Sequence, residues 1–306
     1  MSRNLKGIFC GAISAASYGT NPLFALPLFA AGIGVQSVLF YRYSVALLIY
    51  FLILKFIKKS SLKISLKDIL PLLILACLFC SSSITLFNAF RYIESGIACT
   101  ILFIYPILVA LIMNIFYKEK ITKTTIAALT LTTIGILLLY NGNLNQSLNK
   151  TGLMFIFASA LSYALYIVAV KKIKSVDKIP TGKMTFYVML FSLPIYIYNL
   201  KFLTQLQMID NPMLWLNVLG LAIFPTIISI ETTNIAIKLI GSTFTAILGA
   251  LEPLTAIFFG VLLFGETMTT KIIIGVVAII VGVTLIILRK TKVWFCKSCY
   301  FGILLD

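Results

Sequence analysis

The chain has 306 residues, 60% of them hydrophobic and 11% charged, with 25 Lys and Arg against 9 Asp and Glu. Soluble domains carry roughly 25% charged residues, so this composition excludes a soluble globular fold, and the short connections between apolar runs leave no stretch able to form a separate soluble domain. The net charge of +16 does not point to nucleic acid, because the basic residues stand in short clusters between apolar runs, where they act as topology signals.

Ten apolar runs are predicted to span a membrane: 7–28, 35–57, 69–90, 95–117, 124–140, 151–170, 183–200, 212–236, 243–264 and 271–289. Each is about 20 residues, enough at 1.5 Å per residue to cross a hydrocarbon core of roughly 30 Å. The first follows Arg3 and Lys6 but runs too long for a signal-peptide core, so it reads as a retained span. Polar side chains in spans face protein or water, and helical spacing sorts them. In the first span Ser14, Ser17, Tyr18 and Asn21 share one face, and Asn21-Pro22 and Pro27 are expected to bend it. In the second, Arg42 either reaches the outer headgroups or is the buried charge partner of a carboxylate or a substrate anion. In the third, Ser81, Thr85, Asn88 and Tyr92 share a face.

The fourth span places Tyr105 before Pro106 and closes on Glu119. The fifth carries Ala128 and Gly135, echoed by a small face of Gly275, Ala278 and Gly282 in the tenth, which suggests tight packing or a dimer surface. The sixth repeats the pattern of the first with Ser159, Ser162, Tyr163 and Tyr166. The eighth has Glu231 and Asn234 three apart. Glu231 lies toward one end, where it either snorkels or faces a cavity. The ninth, "GALEPLTAIFFGVLLFGE", sets Glu252 near mid-span, too deep to snorkel easily. Pro253 is expected to leave the Gly249 carbonyl free to face a cavity. Glu119 and Glu266, at the ends of their spans, are expected to accept hydrogen bonds from the N-terminus of the span that follows.

Charge sets the orientation. With the N-terminus in the cytoplasm, 20 Lys and Arg lie on the cytoplasmic side against 4 outside, with Arg42 inside a span. Both termini are therefore expected in the cytoplasm.

The chain is also written twice. "SGIACTILFIYPILVALIMNIFYKEKIT" (95–122) superposes without gaps on "STFTAILGALEPLTAIFFGVLLFGETMT" (242–269) at an offset of 147, pairing Ser95 with Ser242, Tyr105 with Glu252, Pro106 with Pro253 and Glu119 with Glu266. Gly135 falls on Gly282 at the same offset. "GAISAASYG" and "FASALSYAL" match at an offset of 145, pairing Ser14 with Ser159 and Tyr18 with Tyr163. Five spans per half is an odd number, which inverts the second half relative to the first, as in many alternating-access carriers. The expected fold is an all-α polytopic membrane protein of two inverted five-helix repeats, 1–145 and 146–290, with a cytoplasmic tail over 291–306.

"LEPLTAIFFGVLLFGETMT" followed by a glycine-containing last span, together with "SAASYGTNP" and "YRYSVALL", resembles the EamA-type members of the drug/metabolite transporter superfamily over about residues 5–290. That resemblance implies a secondary carrier of amino acids, amines, other metabolites or drugs, and leaves the substrate and direction open.

Other functions fit the residues less well. The chain has no His, no Asp within a span and no G-x-S-x-G, so Ser–His or paired-Asp catalysis lacks its parts. No phosphate-binding loop is present, so any drive comes from a solute or ion gradient, a proton being one candidate coupling ion. A non-transporting sensor or assembly protein is the alternative, although it would need an output module. Of six cysteines, Cys10, Cys77, Cys80 and Cys99 lie in apolar helices, and Cys296 and Cys299 form one C-x-x-C without a second pair, so neither a metal nor another cofactor is expected. The candidate cavity residues are Tyr18, Asn21, Asn88, Tyr105, Tyr163, Tyr166, Glu231, Asn234 and Glu252, with Arg42 as charge partner. The expected partners are a small-molecule substrate, membrane lipid and a coupling ion, and the expected location is a bacterial inner membrane.

Overall fold

The computed structural model describes residues 3–93, 95–139, 149–264 and 268–302. Among them every regular element is helical. Apolar runs in lipid have no water to take up their backbone N–H and C=O groups, so the chain satisfies them within helices. Among the described residues seven helices are long and apolar enough to cross a membrane, and Lys123–Leu139 is a shorter apolar one. Large apolar side chains such as Leu48, Phe116, Met154 and Leu262 stand on the outer surface. In water such a surface would be a liability, but it suits contact with acyl chains. The molecule is an integral membrane protein.

The elements follow the apolar runs closely and break near Pro22, Pro106, Pro225 and Pro253, whereas Pro27, Pro71 and Pro194 lie inside continuous helices. The first run is α1 (Arg3–Gly19) and α2 (Asn21–Ala30), interrupted at Thr20 just before Pro22. Then come α3 (Val35–Leu52), which ends in a π-helical turn over Ile53–Ile57, and α4 (Leu66–Ala89). The run before Pro106 splits into α5 (Ser95–Leu102) and α6 (Tyr105–Tyr117). After α7 (Lys123–Leu139) and α8 (Lys150–Lys172), the short α9 (Lys174–Lys178) leads into α10 (Thr181–Asn199). The next run is α11 (Pro212–Ala222), a π-helical segment Ile223–Ile228 around Pro225, and α12 (Ser229–Ile240). Gly241 adopts φ +94°, open to glycine without strain, and reverses the chain in one residue. The last elements are α13 (Ser242–Leu248), a 3₁₀ turn Gly249–Leu251, α14 (Glu252–Phe264) and α15 (Thr270–Gly302). The α15 helix continues through residue 290, where the sequence suggested a tail. Glu266 and the side chains of Cys99, Cys296 and Cys299 lie outside the described residues.

Two long interfaces, α1 against α12 and α4 against α8, flank the centre, and α7 packs along α15. Small residues permit the last contact. A Cβ on Gly135 would lie 2.7 Å from the Gly275 carbonyl oxygen, and one on Gly282 would lie 3.1 Å from the Ala128 carbonyl oxygen. These two contacts are related by the 147-residue offset. The serine contacts at the long interfaces correspond in the same way, with Ser14 and Ser159 145 residues apart and Ser82 and Ser229 147 apart: Ser14 Oγ donates to the Ser229 carbonyl at 3.0 Å, and Ser159 Oγ donates to the Ser82 carbonyl at 2.8 Å.

Candidate functional site

Glu252 heads α14, directly after the 3₁₀ turn, and is 9% exposed. The turn exists because Pro253 has no N–H to continue an α-helical ladder. The sequence suggested that this leaves the Gly249 carbonyl free, but the Glu252 N–H bonds to it in the tighter 3₁₀ pattern. Gly249 has a different task. A Cβ there would fall on the Tyr105 hydroxyl, so glycine is what lets the tyrosine of α6 reach the turn beside Glu252.

Glu252, Tyr105 and Tyr163 line one small cavity of about 10 Å³, with Gly11, Ser14 and Ala15 of α1 on one wall and Thr233 and Thr245 on another. Tyr105 and Glu252, matched by the 147-residue offset, thus share a wall. The tyrosines belong to a continuous aromatic cluster. Tyr163 meets Tyr105 edge-on with centroids 4.9 Å apart, stacks on Tyr18 at 6.5 Å and on Tyr166 at 6.3 Å, and meets Phe79 at 6.4 Å. The Glu252 carboxylate forms no hydrogen bond or ion pair with another described residue. Hydroxyl groups crowd the same region. Ser14 hydrogen-bonds to Thr233 as well as to Ser229, and Thr245 Oγ1 donates to the Gly241 carbonyl at 2.8 Å.

The other sequence-predicted residues occupy three further places. Tyr166 donates to Asn234 Oδ1 at 2.7 Å, and Asn234 Nδ2 donates to Thr185 at 3.1 Å, so Asn234 ties α12 to α8 and α10 in full burial. Glu231 accepts from Tyr50 and pairs with Lys58 Nζ at 2.6 Å, at the end of the bundle where the chain begins. Asn88 Nδ2 donates to the Ile84 carbonyl at 2.8 Å, and the side chain lines a larger cleft at the opposite end. That cleft, about 590 Å³, also includes Gln36, Phe87, Arg91, Gln205 and Gln207.

Arg42 is 1% exposed and has no ion pair with a described residue. Its Nε donates to Thr226 Oγ1 at 2.6 Å, one terminal nitrogen to the Pro225 carbonyl at 3.0 Å and the other to Asn21 Oδ1 at 3.4 Å. The π-helical segment makes this possible: Pro225 offers no N–H, and Thr226 turns its hydroxyl inward, donating to Leu221 at 2.7 Å while accepting from Arg42. The guanidinium also lies 5.5 Å from the Tyr43 ring centroid and 5.9 Å from that of Phe87, within cation–π range. Neutral oxygens and ring faces therefore hold the charge. Glu119 accepts from Thr243 Oγ1 at 3.1 Å, at the start of α13 rather than of the next span.

Sequence reasoning did not single out Thr226, Thr233, Thr245, Tyr50 or Lys58. The first three are hydroxyls in apolar runs: Thr226 and Thr233 share no helical face with Glu231, whereas Thr245, seven residues before Glu252, shares its face, and that spacing is the signal that could have found it. Lys58 sits in an ordinary boundary cluster. Among the described residues no group of three or more His, Cys, Asp or Glu could hold a metal.

Comparison with known proteins agrees with this architecture. The profile of the EamA-like transporter family matches twice, over residues 5–141 and 150–288. An uncharacterized transporter of Archaeoglobus fulgidus is 28% identical over 195 residues, 64% of this chain and 68% of that protein. The uncharacterized transporter YdfC of Bacillus subtilis is 25% identical over 229 residues, 74% of each chain. A solved crystal structure superposes with a TM-score of 0.77 over 94% of this chain and 98% of its own, at 15% identity, which speaks to the fold alone. With the family profile covering nearly the whole length, the chain belongs to the EamA-like transporter family.

Proposed function

We propose that the protein is a secondary-active carrier of a small organic solute, an amino acid, amine or related metabolite, working by alternating access around Glu252. In this reading the chain crosses a bacterial inner membrane ten times as two inverted five-helix repeats, with both termini in the cytoplasm. The observation that carries the reading is the shared cavity of Glu252 and Tyr105. Equivalent positions of the two repeats meet at one point, where a carboxylate lies among rings and hydroxyls from both halves. The paired contacts Ser14–Ser229 and Ser159–Ser82, and Gly135–Gly275 and Gly282–Ala128, support the repeat in the same way. Inverted repeats with a midplane site are a common basis of alternating access.

In this reading, which the charge bias supports, the cleft of about 590 Å³ lies on the outer side and the Lys58–Glu231 pair on the cytoplasmic side. The arrangement is then one open outward and closed inward. Glu252 supplies the charge that would hold a cationic group of the solute or exchange it for a coupling ion. Arg42, close behind the cleft wall at Phe87, is the complementary charge.

The test is uptake and efflux in proteoliposomes with a panel of amino acids and amines, with and without imposed pH and Na⁺ gradients. The reading expects at least one solute to move above protein-free vesicles, and Glu252→Gln, similar in shape but unable to ionise, to reduce that flux at least tenfold. Flux that is unchanged in Glu252→Gln would remove Glu252 from the mechanism. No flux for any of the panel, with the protein shown to be inserted and folded, would count against the carrier.

A further inference from the structure

The geometry points to a specific occupant of the Glu252 cavity in this arrangement: we propose that it is a site for a small monovalent alkali cation. The inference deepens the carrier reading above and rests on it for its role in transport. Three observations carry it.

The first is size. At about 10 Å³ the cavity holds roughly one water-sized particle and excludes any organic solute. The second is chemistry. The polar side chains among its lining residues all carry oxygen: the Glu252 carboxyl group and the hydroxyls of Ser14, Thr233, Thr245, Tyr105 and Tyr163. No lysine, arginine or side-chain amide lines it. Two of these hydroxyls have their hydrogens engaged elsewhere. Ser14 donates to the Ser229 carbonyl and Thr245 to the Gly241 carbonyl, while Thr233 shares hydrogen bonds with Ser14 and Tyr163. What Ser14 and Thr245 turn to the cavity is lone pairs. The third is the carboxylate itself. The Glu252 side chain is buried, and its carboxylate forms no hydrogen bond or ion pair with a described residue. A buried carboxylate with neither donors nor counter-charge is costly.

A hard cation answers all three. It takes oxygen ligands, fits a water-sized space and supplies the missing positive charge. One carboxylate neutralises one charge, so a monovalent ion suits the site better than Ca²⁺ or Mg²⁺, whose protein sites gather several carboxylates. The facing groups that can titrate are Tyr105 and Tyr163, both neutral unless deprotonated, so no fixed charge opposes the ion.

The test uses the full chain purified in detergent, in chloride salts of Na⁺, K⁺ or N-methylglucamine at constant ionic strength, at two pH values. Replacing N-methylglucamine by 100 mM Na⁺ is expected to raise the thermal midpoint by about 3 °C or more through binding to the folded form. Radioactive ²²Na⁺ is expected to bind saturably. Glu252→Gln should abolish both effects. Thr245→Val keeps the carboxylate but removes one oxygen, and should raise the half-saturating Na⁺ concentration several-fold. It serves as the test if Glu252→Gln does not fold. A midpoint identical in all three salts at both pH values, even one that moves with pH, would overturn the proposal in favour of simple protonation of Glu252. An unchanged Na⁺ response in Thr245→Val would overturn it as well. Solute flux that persists without any alkali cation sinks the cation site and leaves the carrier standing. Saturable Na⁺ binding at Glu252 without flux of any solute does the reverse.

Discussion

Ser159 on α8 donates from Oγ to the backbone carbonyl of Ser82 on α4 at 2.8 Å, and the two hydroxyls lie 3.1 Å apart. Their counterparts repeat the bond: Ser14 donates to the Ser229 carbonyl at 3.0 Å, with hydroxyls 3.3 Å apart. Small polar residues allow both helix pairs to approach closely, and each bond adds the modest stability typical of hydrogen bonds between helices in membranes. Ser14→Ala and Ser159→Ala should each destabilise by about 0.6 kcal/mol and by no more than about 1.7 kcal/mol. Because the two sites are separate, the double variant should show the sum. Denaturant titration of the reconstituted protein measures this, and a large effect at one serine with none at the other would break the equivalence of the two interfaces.

Gly249 and Tyr105 form a steric lock beside Glu252. A Cβ at position 249 would coincide with the tyrosine hydroxyl, so Gly249→Ala should push the ring away from the turn and lower solute flux about tenfold or more, through misplacement at the site. Tyr105→Phe removes the atom that clashes most directly. In the Gly249→Ala background it should recover part of the lost flux, a coupling that a double-mutant cycle reads directly. Strictly additive losses would show that the two residues act independently.

The Lys58–Glu231 pair, joined by Tyr50, bridges the end of α3 and α12. Positions 147 residues away from the pair are Gln205 and Ile84, which cannot form an ion pair. A charged latch therefore exists at one end of the bundle without a counterpart at the matching positions of the other repeat, and it should bias the protein toward the arrangement described here. Partly exposed ion pairs contribute about 1 kcal/mol or less, so Lys58→Met should raise opening at this end by a few-fold, not by orders of magnitude. A single cysteine at Gly182, which lies against Leu54 and Tyr50, reports that opening through its rate of maleimide labelling in a cysteine-free background. Equal labelling rates with and without Lys58→Met would leave the pair as surface decoration.

At the α7–α15 interface a side chain at Gly135 would meet the Gly275 carbonyl oxygen and Ile279 Cγ1 at 2.7 Å, one backbone and one buried. Neither can move aside cheaply. Gly135→Leu should cost about 1–3 kcal/mol from overpacking and separate the two helices. Ile134→Leu, one residue away on the exposed face, should be nearly silent. The contrast is read from unfolding midpoints in detergent. Similar midpoints for the two variants would exclude the close contact.

Much of this molecule is written one residue at a time. Apolar runs of membrane-spanning length dictate helices because lipid offers backbone groups no other partner, and Pro22, Pro106, Pro225 and Pro253 mark the breaks because each removes a donor. Glu252 and Tyr105 stand out before any folding, since a carboxylate deep in an apolar run needs a reason and the offset of 147 pairs the two. Tertiary structure alone decided which polar residues meet. Asn234 and Glu231 lie on the same stretch of α12, yet one is locked between Tyr166 and Thr185 and the other is paired with Lys58 at the bundle end. Helical periodicity assigns a residue to a face but not to a neighbour on another helix. The same holds for Arg42, two of whose three hydrogen-bond partners come from a π-helical segment more than 180 residues away. The lone-pair lining around Glu252 likewise depends on carbonyls from other turns and other helices consuming the hydroxyl hydrogens, a matter of distance and angle that no spacing along the chain encodes.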